Sequence, residues 1–189
     1  SADGKELHYT EVTSTWSDYN IRYYKYADRK WNGPFDLFTG FLGPALSVDD
    51  KTMFFEKYND ARTCWPSKRT GTGWSTPTLC TGVPDPKNKH YFQDTASGRI
   101  YASSRESLNG LGQMDISTYT KTDAQGDYRS RGRPRNSPGN EGDFYVARDE
   151  SFIVFGSPHR GGVGGGDLFI SFRETDGSWS DPTNLGVTI

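Results

Sequence analysis

One pattern occurs four times along the 189 residues, and this repetition limits the possible folds more than any single motif does. Each copy opens with a polar turn, continues with two apolar segments and ends near an aromatic residue. The turn residues lie 46 to 52 positions apart: Asp3, Asp49, Ser97 and Asp149. The aromatic residues recur at a similar interval: Trp31, Trp74, Tyr128 and Trp179. A period of roughly 40–50 residues is longer than a TPR or ankyrin unit and matches one four-stranded antiparallel sheet.

The repeated segments have the periodicity of β-strands. Apolar side chains alternate at Leu7 and Tyr9 in the first copy and at Met53 and Phe55 in the second. Aromatic residues make up 14% of the chain and glycine contributes 22 residues, a composition typical of β proteins with many turns. No apolar run approaches the roughly 18 residues of a membrane span. The sequence therefore predicts an all-β chain with no membrane insertion.

Proline indicates which strand of each sheet lies outermost. Three prolines follow the late aromatic residue by three positions: Pro34, Pro77 and Pro182. Because proline has no N–H to donate, it is tolerated on an edge strand and not in the middle of a sheet. The aromatic residue then lies near the outer rim, and we expect three tryptophans to pack between neighbouring sheets there: Trp31, Trp74 and Trp179.

The fourth repeat resembles the TolB-type, WD-like repeat of bacterial envelope proteins. Its turn at Asp149, its glycine-rich loop 161–166, the segment 167–169 and the closing segment 177–186 follow that repeat in order. The resemblance implies a β-propeller of about four blades in a single propeller domain, from a periplasmic or extracellular bacterial protein. The repeats span about 1–39, 40–82, 88–135 and 140–186.

The first repeat begins at its turn, so its blade lacks the inner strand that precedes the turn in the other repeats. Propellers of this family usually have six or more blades. Three interpretations remain open: the chain is part of a larger propeller, two copies form a homodimer, or four blades close by themselves. The charged opening segment 1–9 also predicts that no signal peptide is present in this stretch.

The two cysteines, Cys64 and Cys80, flank the outer hairpin of the second repeat. A single pair cannot supply a four-ligand structural zinc site. An even pair across an antiparallel hairpin indicates a disulfide and an oxidising compartment. The alternative is two unpaired, buried small residues.

The loops between second and third strands lie on one side of a propeller and form the predicted ligand site. Aromatic residues beside arginine, asparagine and aspartate suit a carbohydrate or a peptide, through ring stacking and directional hydrogen bonds. Ordinary loop composition would look similar. The candidate residues are Trp16, Tyr58, Arg62, Arg105, His159 and Arg160.

No catalytic constellation is legible. The sequence shows no serine or cysteine nucleophile and no orienting acid in the order of a catalytic triad around any of the three histidines, His8, His90 and His159. The glycine run 161–166 lacks the ending of a phosphate loop. Asp115 and Asp167 recur at one blade position, where a side-chain-to-backbone turn bond is favoured over a Ca²⁺ site.

Charge argues against nucleic acid as a partner. The net charge is −2, and the basic stretch 129–135 fits a solvated outer strand. We therefore expect a non-catalytic binding or scaffold module with a protein or carbohydrate ligand, no cofactor and no metal. The alternative is a carbohydrate-active enzyme, a polysaccharide lyase or glycoside hydrolase, with its site on the propeller face.

Overall fold

The structure is a computed structural model that describes residues 1–60, 64–80, 89–104, 114–121, 128–132 and 136–186, with only the backbone at 89–90, 121 and 128–132. None of the described residues belongs to a helix with the length and hydropathy of a membrane span. They form fourteen β-strands: β1 (Glu6–Val12), β2 (Tyr19–Ala27), β3 (Lys30–Thr39), β4 (Phe41–Leu46), β5 (Thr52–Lys57), β6 (Trp65–Lys68), β7 (Lys89–Asp94), β8 (Arg99–Ser104), β9 (Asp115–Lys121), β10 (Tyr128–Gly132), β11 (Gly142–Val146), β12 (Phe152–Ser157), β13 (Asp167–Phe172) and β14 (Thr183–Asn184).

The strands form four antiparallel sheets, which we call blades 1 to 4. Their strand orders are β1-β2-β3, β4-β5-β6, β7-β8-β9-β10 and β11-β12-β13-β14. The chain divides into two compact units, Ser1–Cys80 with blades 1 and 2 and Thr81–Ile189 with blades 3 and 4. Blade 1 begins with the strand that follows its turn, so the prediction that it lacks an inner strand is confirmed.

Blade 2 differs from the expected four strands. After β6, the chain returns alongside it through a bridge between Arg69 and Trp74 and a backbone bond from the Cys80 N–H to the Cys64 carbonyl, 2.8 Å long. Pro66 and Pro77 contribute no N–H in this region, so the returning segment does not form a continuous ladder. Blade 2 thus has three strands and an irregular fourth segment.

Each blade has the predicted turn, which precedes the first strand of blade 1 and lies between the first and second strands of the other blades. In blade 2, the Ser47 hydroxyl donates to Asp49 Oδ1 at 2.7 Å, and the same oxygen accepts the Lys51 N–H at 3.0 Å. Blade 1 repeats both bonds with Ser1 and Asp3. These short polar side chains bind their own backbone, which is why they favour turns.

The turn of blade 3 is one residue shorter than the others. The Thr95 N–H donates to the Arg99 carbonyl, four residues on, whereas the Ser47 N–H reaches Thr52, five residues on. The pairing register shifts accordingly. Tyr101 in β8 therefore takes the position that His8 occupies in β1.

The innermost strands of blades 2, 3 and 4 each contain a β-bulge with a residue in the left-handed region: Gly43, Tyr91 and Asp143, with φ of 63°, 56° and 45°. Glycine adopts this conformation without penalty, but tyrosine and aspartate rarely do. A bulge bends the strand and changes the direction of a side chain. Blades 3 and 4 therefore place Tyr91 and Asp143 where a regular strand would not.

Within each unit, the second blade packs one face against the first blade. In unit 1, Met53 and Phe55 of blade 2 meet Ile21 of blade 1. In unit 2, the corresponding residues of blade 4, Ile153 and Phe155, pack with Tyr101 and Ile116 of blade 3. The same core cluster contains further residues of blade 4: Phe144, Val146, Phe169 and Trp179. We call the face of a blade that carries Met53 or its equivalents the front face, and the opposite face the back face.

Two of the three predicted tryptophan positions are confirmed. Trp74 meets His8 edge-on with ring centroids 6.2 Å apart, and Trp179 meets Tyr101 in the same way at 6.4 Å. Arg69 lies over the Trp74 ring at 4.4 Å, and Arg173 over Trp179 at 5.1 Å. In each unit, the tryptophan of the second blade thus packs against an aromatic side chain of the first.

The prediction for Trp31 is wrong. Its side chain is 48% exposed and its ring contacts Tyr26, the residue opposite it in the β2–β3 hairpin. Trp31 occupies the front face of blade 1, as Trp74 does in blade 2. Blade 2 covers the back face of blade 1, so Trp31 is not part of the packing between these two blades.

Candidate functional site

The disulfide between Cys64 and Cys80 is present, with the two Cα atoms 5.3 Å apart. It joins the residue before β6 to the end of the returning segment of blade 2. The Cys80 N–H also donates to the Cys64 carbonyl, so the bond crosslinks two backbone segments that already pair. The sequence-based prediction of this disulfide is confirmed.

The predicted loop residues of unit 1 come together in part. Trp16, 67% exposed, lies in the β1–β2 loop, and the Tyr58 hydroxyl donates to its carbonyl at 3.4 Å. Tyr58 also packs on Tyr19 with ring centroids 4.4 Å apart. These rings form a small aromatic group at one end of unit 1. Arg62 lies outside the described residues, as does Arg105.

Arg160 has a structural role in unit 2. Its Nε donates to Glu141 Oε1 at 3.1 Å, and the Glu141 side chain is almost wholly buried. The same carboxylate accepts the Ser137 hydroxyl at 2.5 Å and the Ser137 N–H at 3.1 Å. Because a buried carboxylate needs a cationic partner and hydrogen bonds, Arg160 is committed to Glu141.

His159, exposed beside Arg160, fixes the start of the segment before blade 4. Its Nδ1 accepts the backbone N–H of Asn140 at 3.3 Å, so the ring proton is on Nε2. A Cβ on Gly139 would lie 2.2 Å from the Cβ of His159, and only glycine fits there. This contact holds Asn140 next to a recess of unit 2.

That recess is a cavity of about 440 Å³, which we call the Asp143 cavity. A separate cavity of about 460 Å³, with a different lining, lies in unit 1. Both bulge residues of unit 2, Tyr91 and Asp143, line it. Its lining is Tyr91, Met114, Asn140, Gly142, Asp143, Gly156, Ser157, Pro158, Gly166, Asp167 and Leu168. Two carboxylates, an amide, a hydroxyl and an aromatic ring thus surround one space.

One acceptor in the Asp143 cavity has no donor. The Oδ1 atom of Asn140 is buried and receives no hydrogen bond from the part of the chain that the structure describes. A buried acceptor without a partner costs about 1–3 kcal/mol, so such an atom is usually satisfied by water or a ligand. Asn140, which lines the cavity, therefore retains an acceptor that no described donor satisfies.

Asp167 shapes the glycine-rich loop at the side of the cavity. Its carboxylate accepts the backbone N–H groups of Val163 at 3.2 Å and Gly164 at 3.4 Å. A Cβ on Gly162 would come within 2.0 Å of this carboxylate, so the loop packs closely around it. The interpretation of Asp167 as a turn-bonding residue agrees with these bonds.

The unit 1 cavity is lined mainly by charged side chains that pair with one another. Arg69 Nη2 donates to Glu6 Oε2 at 2.6 Å, joining blade 2 to blade 1. The bond from Arg69 is the main reason that the pKa of Glu6 lies below its usual value. The Ala2 N–H donates to Asp50 Oδ2 at 2.6 Å. This cavity is therefore an inter-blade ionic contact rather than a recess with open acceptors.

Apart from Asp167, the sequence analysis did not single out the residues that line the Asp143 cavity. Of the four predicted candidates that the structure describes, Trp16, Tyr58, His159 and Arg160, none lines the cavity, although His159 contacts the backbone of Asn140, which does. The available signal was Asp143, a carboxylate inside an otherwise apolar innermost strand. Tyr91 gave no signal, because tyrosine is an ordinary strand residue and its bulge depends on the pairing register.

Comparisons with known proteins identify the fold. No protein family and no curated protein sequence matches the chain. Among solved structures, TolB from Acinetobacter baumannii superposes with a TM-score of 0.60 at 16% identity, over 99% of this chain and 42% of TolB. A periplasmic gluconolactonase from Pseudomonas aeruginosa gives 0.51 at 10% identity, over 98% of this chain and 68% of that one. The chain has a TolB-like β-propeller fold and spans less than half the length of TolB.

Proposed function

We propose that this chain is a ligand-binding β-propeller module whose Asp143 cavity takes a carbohydrate. The observation that carries the proposal is the buried, unsatisfied Oδ1 of Asn140 in a cavity with the carboxylates of Asp143 and Asp167. Sugar hydroxyls donate to such acceptors, and the ring of Tyr91 offers an apolar surface for a sugar face. The size of the cavity, about 440 Å³, suits one or two sugar rings.

We further propose that the protein acts in the periplasm or outside the cell. The disulfide between Cys64 and Cys80 supports an oxidising compartment, where such bonds persist. The gluconolactonase of similar fold is itself periplasmic, which is compatible with this location.

Glycan-array binding followed by calorimetric titration tests the carbohydrate proposal. Asp143→Asn should weaken binding of the best glycan at least about tenfold, since a charged acceptor is lost. Asp28→Asn is the matched control, because Asp28 also has a positive φ, 53°, and does not line the cavity. Equal affinity in the two variants, or binding to a peptide library and to no glycan, would overturn the proposal.

The presence of Asp143 and Asp167 at one cavity also favours a second candidate, a glycoside hydrolase or polysaccharide lyase. Hydrolysis of glycosidic bonds uses a pair of carboxylates as acid and base or nucleophile. A reducing-sugar assay on the glycans that bind distinguishes the enzyme from the binding module. Turnover that is lost in Asp143→Asn supports the enzyme, whereas binding without turnover supports the binding module.

A further inference from the structure

The front face of blade 1 is uncovered, although the equivalent faces in blades 2 and 4 are buried. Leu7 is 54% exposed, while Met53 and Ile153, at the same position in their blades, are both 0% exposed. The front faces of blades 2 and 4 are buried because the back face of the preceding blade packs on them. Blade 1 has the same strand pairing and the same side-chain alternation.

This face is rich in aromatic side chains that contact one another. Tyr9 and Tyr24 stack with ring centroids 6.0 Å apart, and Tyr26 contacts Trp31 at 5.4 Å. The charged groups on the face are satisfied within it, because Arg22 binds Glu11 and Asp36 at 3.0 and 2.7 Å. Exposed aromatic patches of this kind mark protein interfaces, and aromatic side chains dominate their energetics.

The back face of blade 4 is the complementary surface in the same chain. Tyr145 and Phe172 are each 52% exposed, and Tyr145 packs on Phe152 with centroids 6.1 Å apart. On the same face, Val154 of β12 lies directly opposite Ile170 of β13. In unit 1, the back face of blade 1 covers the front face of blade 2 in the same way.

We propose that the front face of blade 1 binds the back face of blade 4 of a second copy of this chain. The contact repeats the packing that already joins blade 1 to blade 2 and blade 3 to blade 4. It is heterologous, since two different surfaces meet, and two reciprocal contacts close a dimer. The proposal does not depend on what the Asp143 cavity binds.

Sedimentation equilibrium of the 189-residue chain at micromolar concentrations tests this. The wild-type chain should have twice its monomer mass of 21.2 kDa. Leu7→Asp and Phe172→Asp should each weaken self-association about thirtyfold or more, because each places a charge at the centre of an apolar contact. Val163→Asp, at an apolar side chain that is 71% exposed in a loop outside both faces, should leave the dimer intact.

Mixing the two interface variants distinguishes this contact from a symmetric one. Leu7→Asp keeps an intact back face and Phe172→Asp keeps an intact front face, so the mixture should form a 1:1 heterodimer. Thermal unfolding establishes that each variant is folded. A monomeric wild-type chain, or a mixture that stays monomeric, would overturn the proposal. So would a Leu7→Asp variant that still dimerises.

Discussion

Two buried ionisable side chains, His8 and Glu150, differ in their charge at neutral pH: one is uncharged and the other is ionised. Their surroundings explain the difference. His8 lies between Tyr23 and Trp74, and neither of its ring nitrogens has a hydrogen-bond partner among the described residues. Burial lowers the pKa of His8 from 6.5 to about 4, although Glu6, 3.9 Å away, acts in the opposite direction. Glu150 is buried but accepts bonds from Thr95, Ser97 and Arg99. His8 is therefore neutral at pH 7, whereas Glu150 is ionised.

His8 should make the protein sensitive to mild acid. The unfolded chain binds a proton on His8 below pH 6.5 and the folded chain only near pH 4, so stability falls as the pH drops through this window. The loss from pH 7 to pH 4 should be about 3 kcal/mol. Urea unfolding at several pH values should show this loss in the wild type and in His159→Gln, and not in His8→Phe. A His8→Phe variant with the wild-type acid sensitivity would contradict the assignment.

Glu150 should contribute at neutral pH and lose its contribution in stronger acid. Burial raises the pKa of Glu150, but the bonds from Thr95 and Ser97 and the charge of Arg99 outweigh it and hold the pKa below 4.5. Glu150→Gln should cost about 1–3 kcal/mol of unfolding free energy at pH 7, with the exposed Glu174→Gln near zero. Because this contribution is lost as the pH falls through the depressed pKa, the difference from wild type should vanish in the most acidic samples. Equal unfolding curves for the wild type and Glu150→Gln at pH 7 would show that the Glu150 carboxylate does not stabilise the fold.

At the scale of elements, the sequence predicted what depends on local chemistry. The Ser-x-Asp turns could be predicted because each side chain binds backbone within its own turn. Trp74 and Trp179 were correct because blades 2 and 4 each pack on a preceding blade. Trp31 has the same spacing to a following proline and a different environment, which no local pattern records. The bulges at Tyr91 and Asp143 depend on strand register, so the lining of the Asp143 cavity could not be predicted.

The difference between the tryptophans can be measured directly. Trp179→Ala should lower the unfolding free energy by about 3–5 kcal/mol, because it removes a buried ring and its contact with Tyr101. Trp31→Ala, measured at low protein concentration, should cost less than about 1 kcal/mol. Chemical denaturation monitored by circular dichroism gives both values. Equal losses in the two variants would mean that Trp31 is buried in solution.

At the scale of the whole molecule, each unit has its own core, and only unit 1 contains a disulfide. The repeat length and the strand alternation predicted four-stranded antiparallel sheets, the resemblance to the TolB-type repeat implied a propeller, and the structural likeness to TolB confirms this fold. The division into pairs of blades was not predicted. It depends on contacts such as Arg69 with Glu6 and Arg99 with Glu150, which connect distant parts of the sequence.

Removing the disulfide should affect the two units unequally. Replacing Cys64 and Cys80 by serine should cost about 3 kcal/mol, the value for a crosslinked loop of about 15 residues. Hydrogen exchange measured by mass spectrometry should then speed up in β5 and β6, with β12 and β13 unchanged. Uniformly faster exchange across both units would show that they share one cooperative unfolding transition.

The turns contain one further regularity, at the residue after Asp3, Asp49, Ser97 and Asp149. Glycine and an acid alternate there as Gly4, Asp50, Gly98 and Glu150, all with positive φ. Asp50 binds the Ala2 N–H in the turn of blade 1, and Glu150 binds Thr95 and Ser97 in the turn of blade 3. Each acid therefore links its own turn to the turn of the preceding blade, so every second turn fastens the two blades of one unit together.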